Sequence, residues 1–418
     1  MKDQLRYADF PKVDDGRTYH VGVKRGEVAN RIITVEDPSR ALVIERLLDR
    51  NPKPFILDSG RGFLTITGRY KTIPISIISI FYGFSMMDFF IREVRQVVDG
   101  PLVIIRLGSC GSISHPNIGD VIVPSGAFSV TKNYDYFIHG IDTKDAFPIV
   151  DSPYNISKIT YCDREMCEML QREFSKVLTT TPIFSGLNAS TDSFYSSQGR
   201  LDDNFLDENH DVINSVFQKY PNALTMDMET FILYHLSNIS ITTLVSPSQL
   251  QLQQSQSSSN LSDVDLLNGR KSLHQSRSSF DITSKQRCSM DVSRRKNNTF
   301  SISANNSNIH RPHRHHLNNS SRDLNSNNQL HHQYNAINSI RSTSALVVFC
   351  DRKTNEFISD DMINLLDPLC GEACLNTLIK IEIKESHNEE GSVWSNKLMD
   401  KSKKENKIVK MIKRKFSV

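Results

Sequence analysis

The chain has 418 residues, enough for two or three average domains, but only 38% is apolar and much of the polar excess falls in one block, which argues for fewer. A net charge of +3 excludes a global field that would draw nucleic acid or a membrane surface. Seven scattered cysteines, an odd number without CxxC spacing, point to free thiols in a reducing compartment rather than a disulfide frame or a zinc site. The opening "MKDQLRYADFPKVDDGR" lacks the apolar core of a secretory leader. No apolar run approaches the roughly 18 residues of a membrane helix. The expectation is a soluble cytoplasmic protein without a metal.

From about residue 20 to 236, β-branched runs alternate with helical patterns. "RIITV" (31–35), "IPISIISIF" (73–81), "PLVIIRLGSC" (101–110), "GDVIVPSG" (119–126) and "TPIFSGLNAS" (181–190) read as strands closed by Gly or Ser turns. Helical spacing marks Ser39–Arg50, Ser85–Val98, Asp163–Leu178 and a segment starting at Glu229. Such alternation predicts an α/β sheet covered on both faces. Residues 238–342 are then rich in Ser, Asn, Gln and His, as in "SQLQLQQSQSSSN" and "HRPHRHHLNNSS". A segment of this kind buries too little apolar surface to offset its ordering entropy and is expected to be disordered; its histidines lack metal-site spacing. Strand vocabulary returns in "STSALVVFC" (342–350) and a helix in Asp360–Ile381, so the block reads as an insertion within one domain. The C-terminal "KLMDKSKKENKIVKMIKRKFSV" is basic and reads as a solvated tail.

Four stretches can carry chemistry. In "IIRLGSCGSI", Arg106 and Ser109 stand at the C-terminal end of an apolar strand beside Gly108 and Gly111. Open α/β sheets bind ligands at such ends, and glycine lets backbone approach an anion; an arginine that merely closes a strand end fits equally well. In "TVEDPSRALVIERLL", Arg40 opens a helix whose N-terminus attracts anions, or else Asp37 or Ser39 caps it and Arg40 is solvated. "ALTMDMETFILYHL" places Asp227 and Glu229 around Met228, as acceptors for vicinal sugar hydroxyls or as helix-start acids. "TDSFYSSQGRLDD" sets Gln198 and Arg200 two residues apart behind two aromatics. In extended backbone these share a side and can read a flat ring bearing an N–H and carbonyl oxygens; a solvated loop is the alternative. Arg61, in "LDSGRGFLT", says nothing alone.

In order along the chain, "YHVGVKRGEVANRIITVEDPSR", "SGRGF", "RLGSCGSISHPNIGDVIVPSG", "TDSFYSSQGR", "MDMET" and "LVVFCDRKTNEF" resemble the nucleoside phosphorylase superfamily, most closely uridine phosphorylases. The resemblance covers residues 17–237 and 342–382. It implies a three-layer α/β/α sandwich around a mixed, twisted, barrel-like sheet. The implied domain is 17–382, with 238–342 inserted and 383–418 as the tail.

The implied activity is cleavage of uridine by inorganic phosphate to uracil and ribose 1-phosphate, with no cofactor beyond that co-substrate. Carried over by position, Arg40, Arg61, Arg106 and Ser109 bind phosphate, Arg61 reaching it from a neighbouring subunit. His20, across the same interface, with Met228 and Glu229, binds ribose; Phe194, Gln198, Arg200 and Arg352 surround the base. Arg40, Arg106 and Arg200 carry the catalytic charge stabilisation, and a shared site requires a homodimer or larger homo-oligomer. The resemblance implies neither nucleic acid nor membrane as a partner.

Two departures stand out. Glu36 replaces a phosphate-turn glycine, and a carboxylate a few Å from phosphate costs on the order of several kcal/mol unless it turns away. "SIFYGFSMM" (79–87) replaces a small-residue turn beside the sugar with Phe81, Tyr82 and Phe84. The competing expectations are a purine-cleaving relative, for which Asp351 would be the base acid, and a catalytically weak nucleoside- or partner-binding paralogue.

Overall fold

This computed structural model describes residues 8–137, 152–241, 339–383 and 391–395. In chain order the elements are β1 (Arg31–Val35), α1 (Pro38–Glu45), β2 (Phe55–Asp58), β3 (Leu64–Tyr70), β4 (Ile73–Ser79), α2 (Phe84–Val97) and β5 (Leu102–Ser112). There follow β6 (Val121–Ile122), β7 (Gly126–Lys132), β8 (Tyr154–Ile156), β9 (Thr160–Tyr161), α3 (Arg164–Val177), β10 (Ile183–Phe184) and β11 (Leu187–Thr191). The last are α4 (Val212–Lys219), β12 (Ala223–Asp227), α5 (Thr230–Ile239), β13 (Ile340–Asp351) and α6 (Asp360–Leu378).

The strands join one mixed sheet. β2, β3 and β4 form an antiparallel meander, while β4, β1, β5 and β13 run parallel. β5 is shared: its first half pairs with β1, and its last residues pair antiparallel with β12, which leads on through β11 and β7 to β8. The apolar runs are continuous because both faces are buried. Ile33, Val35, Val103, Ile105 and Leu107 point toward α1, α3 and α6; the alternate Ile32, Leu102 and Ile104 point toward α2 and α5. A further cluster packs α4 against β7, β11 and β12. This is the expected three-layer arrangement.

Local chemistry trims the expected elements. α1 stops at Glu45 rather than Arg50, short of Pro52 and Pro54, whose rings disfavour helix in the preceding residues. "GDVIVPSG" contributes only two strand residues before Pro124, which cannot donate to a ladder. "TPIFSGLNAS" divides into β10 and β11 around Gly186, where a Cβ would lie 2.5 Å from Leu224 Cδ1. The expected insertion limits also shift inward. α5 continues to Ile239 and β13 begins at Ile340, so both ends belong to ordered elements; residues 242–338, including the histidine-rich run, lie outside the described residues. In the segment read as a tail, Trp394 is buried, its carbonyl accepts from Arg69 Nε at 3.1 Å, and Val393 N–H donates to Gly26 O at 2.9 Å.

The end of α5 and the start of β13 meet at one place, for Ile340 N–H donates to Ser240 Oγ at 3.1 Å. Bridging that point needs only a short linker. Replacing residues 243–337 by a few Gly and Ser residues is therefore expected to leave the thermal midpoint within a few degrees of the parent, checked by calorimetry.

Candidate active site

β5 carries a buried arginine in the middle of an otherwise apolar strand, and the surrounding residues converge on it. Arg106 is 1% exposed. Its guanidinium folds back over Gly108, where a Cβ would sit 1.8 Å from Nη1, so no other residue fits there without displacing it. Nη2 donates to Glu36 Oε1 at 2.5 Å and to Glu229, and Nη1 lies 3.3 Å from Asp227 Oδ2. Burial alone would lower the Arg106 pKa, but Glu36, Glu229 and Asp227 outweigh it and hold the group well above its ordinary value.

Glu36 follows the C-terminal end of β1 and is 4% exposed. Its Oε1 also accepts from Ser109 N–H at 2.9 Å, and its Oε2 from Arg40 Nη1 at 3.2 Å. Arg40 Nε donates to Asp367 Oδ1 on α6 at 2.9 Å. Asp37 caps α1, accepting from Ser39 N–H at 2.6 Å, but Arg40 is buried rather than solvated. The Glu36 carboxylate thus does not turn away: it sits among Arg40, Arg106 and Ser109. Asp367 was missed; its signal is an acid before Pro368 in an apolar helix, "LLDPLC".

Glu229 follows β12, and its Oε1 accepts from Gly83 N–H, the N-cap of α2, at 2.5 Å. Burial pushes the Glu229 carboxyl up to about 7; Arg106 opposes this, and the charges of Asp227 and Glu36 add to it. Asp227 is held structurally: Oδ1 accepts from Asn188 and Ser190, and Oδ2 from Thr230 N–H and Oγ1. Met228 lies beside this turn, its Cε 4.0 Å from where a Gly83 Cβ would stand. Phe81 and Tyr82 lie partly exposed on the neighbouring loop.

The second half of the constellation follows β11 and β13. Gln198, 3% exposed, ends a 3-10 turn and donates from Nε2 to Thr191 Oγ1 at 3.1 Å. Arg200 lies 3.9 Å above the Phe194 ring, and its Nη2 is 3.5 Å from Gln198 Oε1. Arg352 donates to the carbonyls of Gln198 and Gly199 at 2.9 and 3.3 Å. Burial lowers the Arg352 pKa, and the Arg200 charge lowers it further, so two cations are held close together. Among the described residues, the Nε atoms of Arg200 and Arg352 are both buried without a hydrogen-bond partner. Asp351, by contrast, caps a turn, accepting from Lys353 N–H at 2.8 Å.

His20 and Arg61 lie apart from this group. His20 Nδ1 is 2.7 Å from Glu93 Oε1, its ring stacks on Phe89 at 3.8 Å, and it meets Tyr19 edge-on. Arg61 covers the other ring contact of that pair, 3.9 Å from the Tyr19 centroid. Among the described residues neither bonds to Arg40, Arg106 or Gln198, but both share the Tyr19 surface. No three His, Cys, Asp or Glu side chains among the described residues are grouped to hold a metal ion. None of the described helices is long and apolar enough to cross a membrane.

Residues 30–240 match the Phosphorylase superfamily. The chain belongs to that superfamily. Among curated proteins it is 28% identical to a uridine phosphorylase of Thermococcus kodakarensis over 242 residues, 57% of this chain and 78% of the relative. It is 27% identical to a DeoD-type purine nucleoside phosphorylase of Oceanobacillus iheyensis over 219 residues, 52% of this chain and 80% of the relative. Among solved structures, one from a structural and catalytic study of two diverse uridine phosphorylases in the oomycete Phytophthora capsici superposes with a TM-score of 0.62 at 25% identity, covering 91% of this chain and all of that one. A Trypanosoma brucei nucleoside phosphorylase shares the fold at a TM-score of 0.54 and 16% identity, over 89% of this chain and all of that one. The family is thus a nucleoside phosphorylase family, with both uridine and purine enzymes among the relatives.

Gly108→Ala places a methyl group inside the Arg106 guanidinium. It is expected to cost more than about 3 kcal/mol, since the arginine must abandon buried carboxylates, and denaturant melts measure the loss.

Proposed function

We propose that the chain is a uridine-directed nucleoside phosphorylase, cleaving uridine against inorganic phosphate to uracil and ribose 1-phosphate. The observation that carries this reading is the base end, where the buried Gln198 amide stands beside the paired guanidiniums of Arg200 and Arg352. In this reading Gln198 accepts from uracil N3–H and donates to O2, while Arg200 donates to O4. Cytosine, with an unprotonated N3, would oppose acceptor to acceptor. As the glycosidic bond breaks, the pyrimidine leaves with negative charge, and two cations held near each other gain most from an anion arriving between them. The same reading gives the ribose hydroxyls to Glu229 with Met228 alongside, sugar and base packing to Phe194, and the phosphate to Arg40, Arg106 and Ser109. His20 and Arg61 would serve a neighbouring copy, which makes the working form a homodimer or larger. Asp351, engaged in its turn, speaks against the purine reading.

One observation favours a second reading, a nucleoside-binding protein of low turnover: the Glu36 carboxylate holds the donors assigned to phosphate. Release of uracil from uridine with phosphate, beside inosine as the purine control, decides between cleavage and binding. Uridine is expected to be cleaved and inosine left intact; uridine binding without uracil release favours the second reading. Gln198→Leu is expected to lower kcat/KM for uridine roughly 10- to 100-fold by leaving a polar ring edge unpaired. Glu229 accepts ribose hydroxyls best when ionised. Because its carboxyl is pushed up to about 7, protonation below that pH removes the charge, and KM for uridine is expected to fall as pH rises from 6 to 8. Glu229→Gln should flatten that profile.

A further inference from the structure

The anion pocket around Arg106 is already filled, and its charge is already overbalanced. Two buried arginines, Arg40 and Arg106, face four carboxylates: Glu36, Asp227, Glu229 and Asp367. Within that set Glu36 differs from the others. Asp227 is fastened by Asn188, Ser190 and Thr230, and Asp367 reaches Arg40 from outside on α6. Glu36 alone of the four bonds to Arg106, Arg40 and the Ser109 amide together, which are the donors an oxyanion would use. The Ser109 hydroxyl points the same way, 3.5 Å from Oε1.

The backbone cannot carry this carboxylate aside. Glu36 O accepts from Phe81 N–H at 3.0 Å and from Ser79 Oγ at 3.2 Å, and Val35 O accepts from Ile80 N–H at 2.9 Å. The side chain must therefore rotate away from Arg106, Arg40 and Ser109 before another anion can take their donors.

We propose that Glu36 is an internal competitor for phosphate, a resident carboxylate that imitates the oxyanion and sets how much phosphate the site requires. The proposal rests on the reading of this pocket as a nucleoside phosphorylase site. It makes Glu36 a determinant of co-substrate affinity, acting apart from base recognition. An occupied pocket also needs no phosphate to stay assembled, so uridine binds without it.

The test compares full-length wild type with Glu36→Ala, a substitution the backbone accepts because Glu36 is not among the positive-φ residues. Thermal midpoints are measured with inorganic phosphate against chloride at equal ionic strength, and the KM for phosphate is measured in uridine cleavage. Millimolar phosphate should leave wild type unmoved and stabilise the alanine variant, whose KM for phosphate should be at least about tenfold lower, with KM for uridine little changed when both are measured at about pH 8, where Glu229 is largely ionised in either form. Equal phosphate responses overturn the proposal. Glu36→Gln, which keeps the shape and drops the charge, is expected to respond between the two. If the alanine variant fails to fold, a glutamine variant indistinguishable from wild type overturns the proposal equally. Phosphate stabilisation of Glu36→Ala without uridine cleavage by any form leaves the competition standing and removes the uridine reading. Cleavage by both forms at one phosphate KM does the reverse.

Discussion

A guanidinium buried in the middle of a sheet is the constraint on which this molecule turns. Arg106 cannot lose its proton, and desolvating it costs several kcal/mol unless carboxylates surround it. Segments that meet the C-terminal half of β5 supply those partners, and β5 itself makes room for them. β1 brings Glu36, β12 brings Asp227 and Glu229, and Gly108 gives up its side chain so that the guanidinium can fold back along its own strand. The N-terminus of α2 adds Gly83 N–H on the far side of Glu229. A charge placed at the centre of the core thereby fixes the relative positions of four chain segments distant in sequence.

The base end is built on the opposite imbalance. Around Arg106 the carboxylates outnumber the cations; beyond Gly111, Arg200 and Arg352 stand close together, with Gln198 Oε1 3.5 Å and Cys350 Sγ 3.6 Å from Arg200 Nη2. Gly111 marks the join, for a Cβ there would come within 3.4 Å of Arg352 Cγ and 3.1 Å of Cys350 Sγ. The two ends therefore differ in sign along one strand. In the proposed reading, a neutral nucleoside laid across them would set its hydroxyls against acceptors and its base against donors, with charge developing toward the cations as the bond weakens.

Much of this was legible in the letters. Strands alternating with helices announced a sheet covered on both faces, and Arg-x-Gly-Ser at an apolar strand end marked Arg106, on which the surrounding side chains converge. What composition and spacing left open were questions of distance. Whether Arg40 faced solvent or the pocket depended on Asp367, 327 residues further along the chain. Glu36 read as a cost to phosphate binding unless it turned away; its actual place follows from a desolvation balance, since the Ser109 amide and part of the Arg106 guanidinium would otherwise be buried without an acceptor. Asp227 and Glu229 look alike in "MDMET", yet one is fastened by three side chains and the other meets only Arg106 and a helix-cap amide. No local pattern separates them, because the difference lies in what β11 places opposite.

The resident carboxylate also ties the two assigned substrate positions together. Glu36 and Glu229 share Nη2 of Arg106, so each competes for the charge that stabilises the other, and the Glu36 charge helps to hold the Glu229 carboxyl near neutrality. Removing the charge at Glu36 leaves Arg106 free to pair fully with Glu229, which lowers the proton affinity of Glu229. In the proposed reading, an incoming phosphate would restore the competing charge at the same place. Occupancy of that anion position and the protonation state of Glu229 would then be one linked equilibrium, transmitted through a single guanidinium.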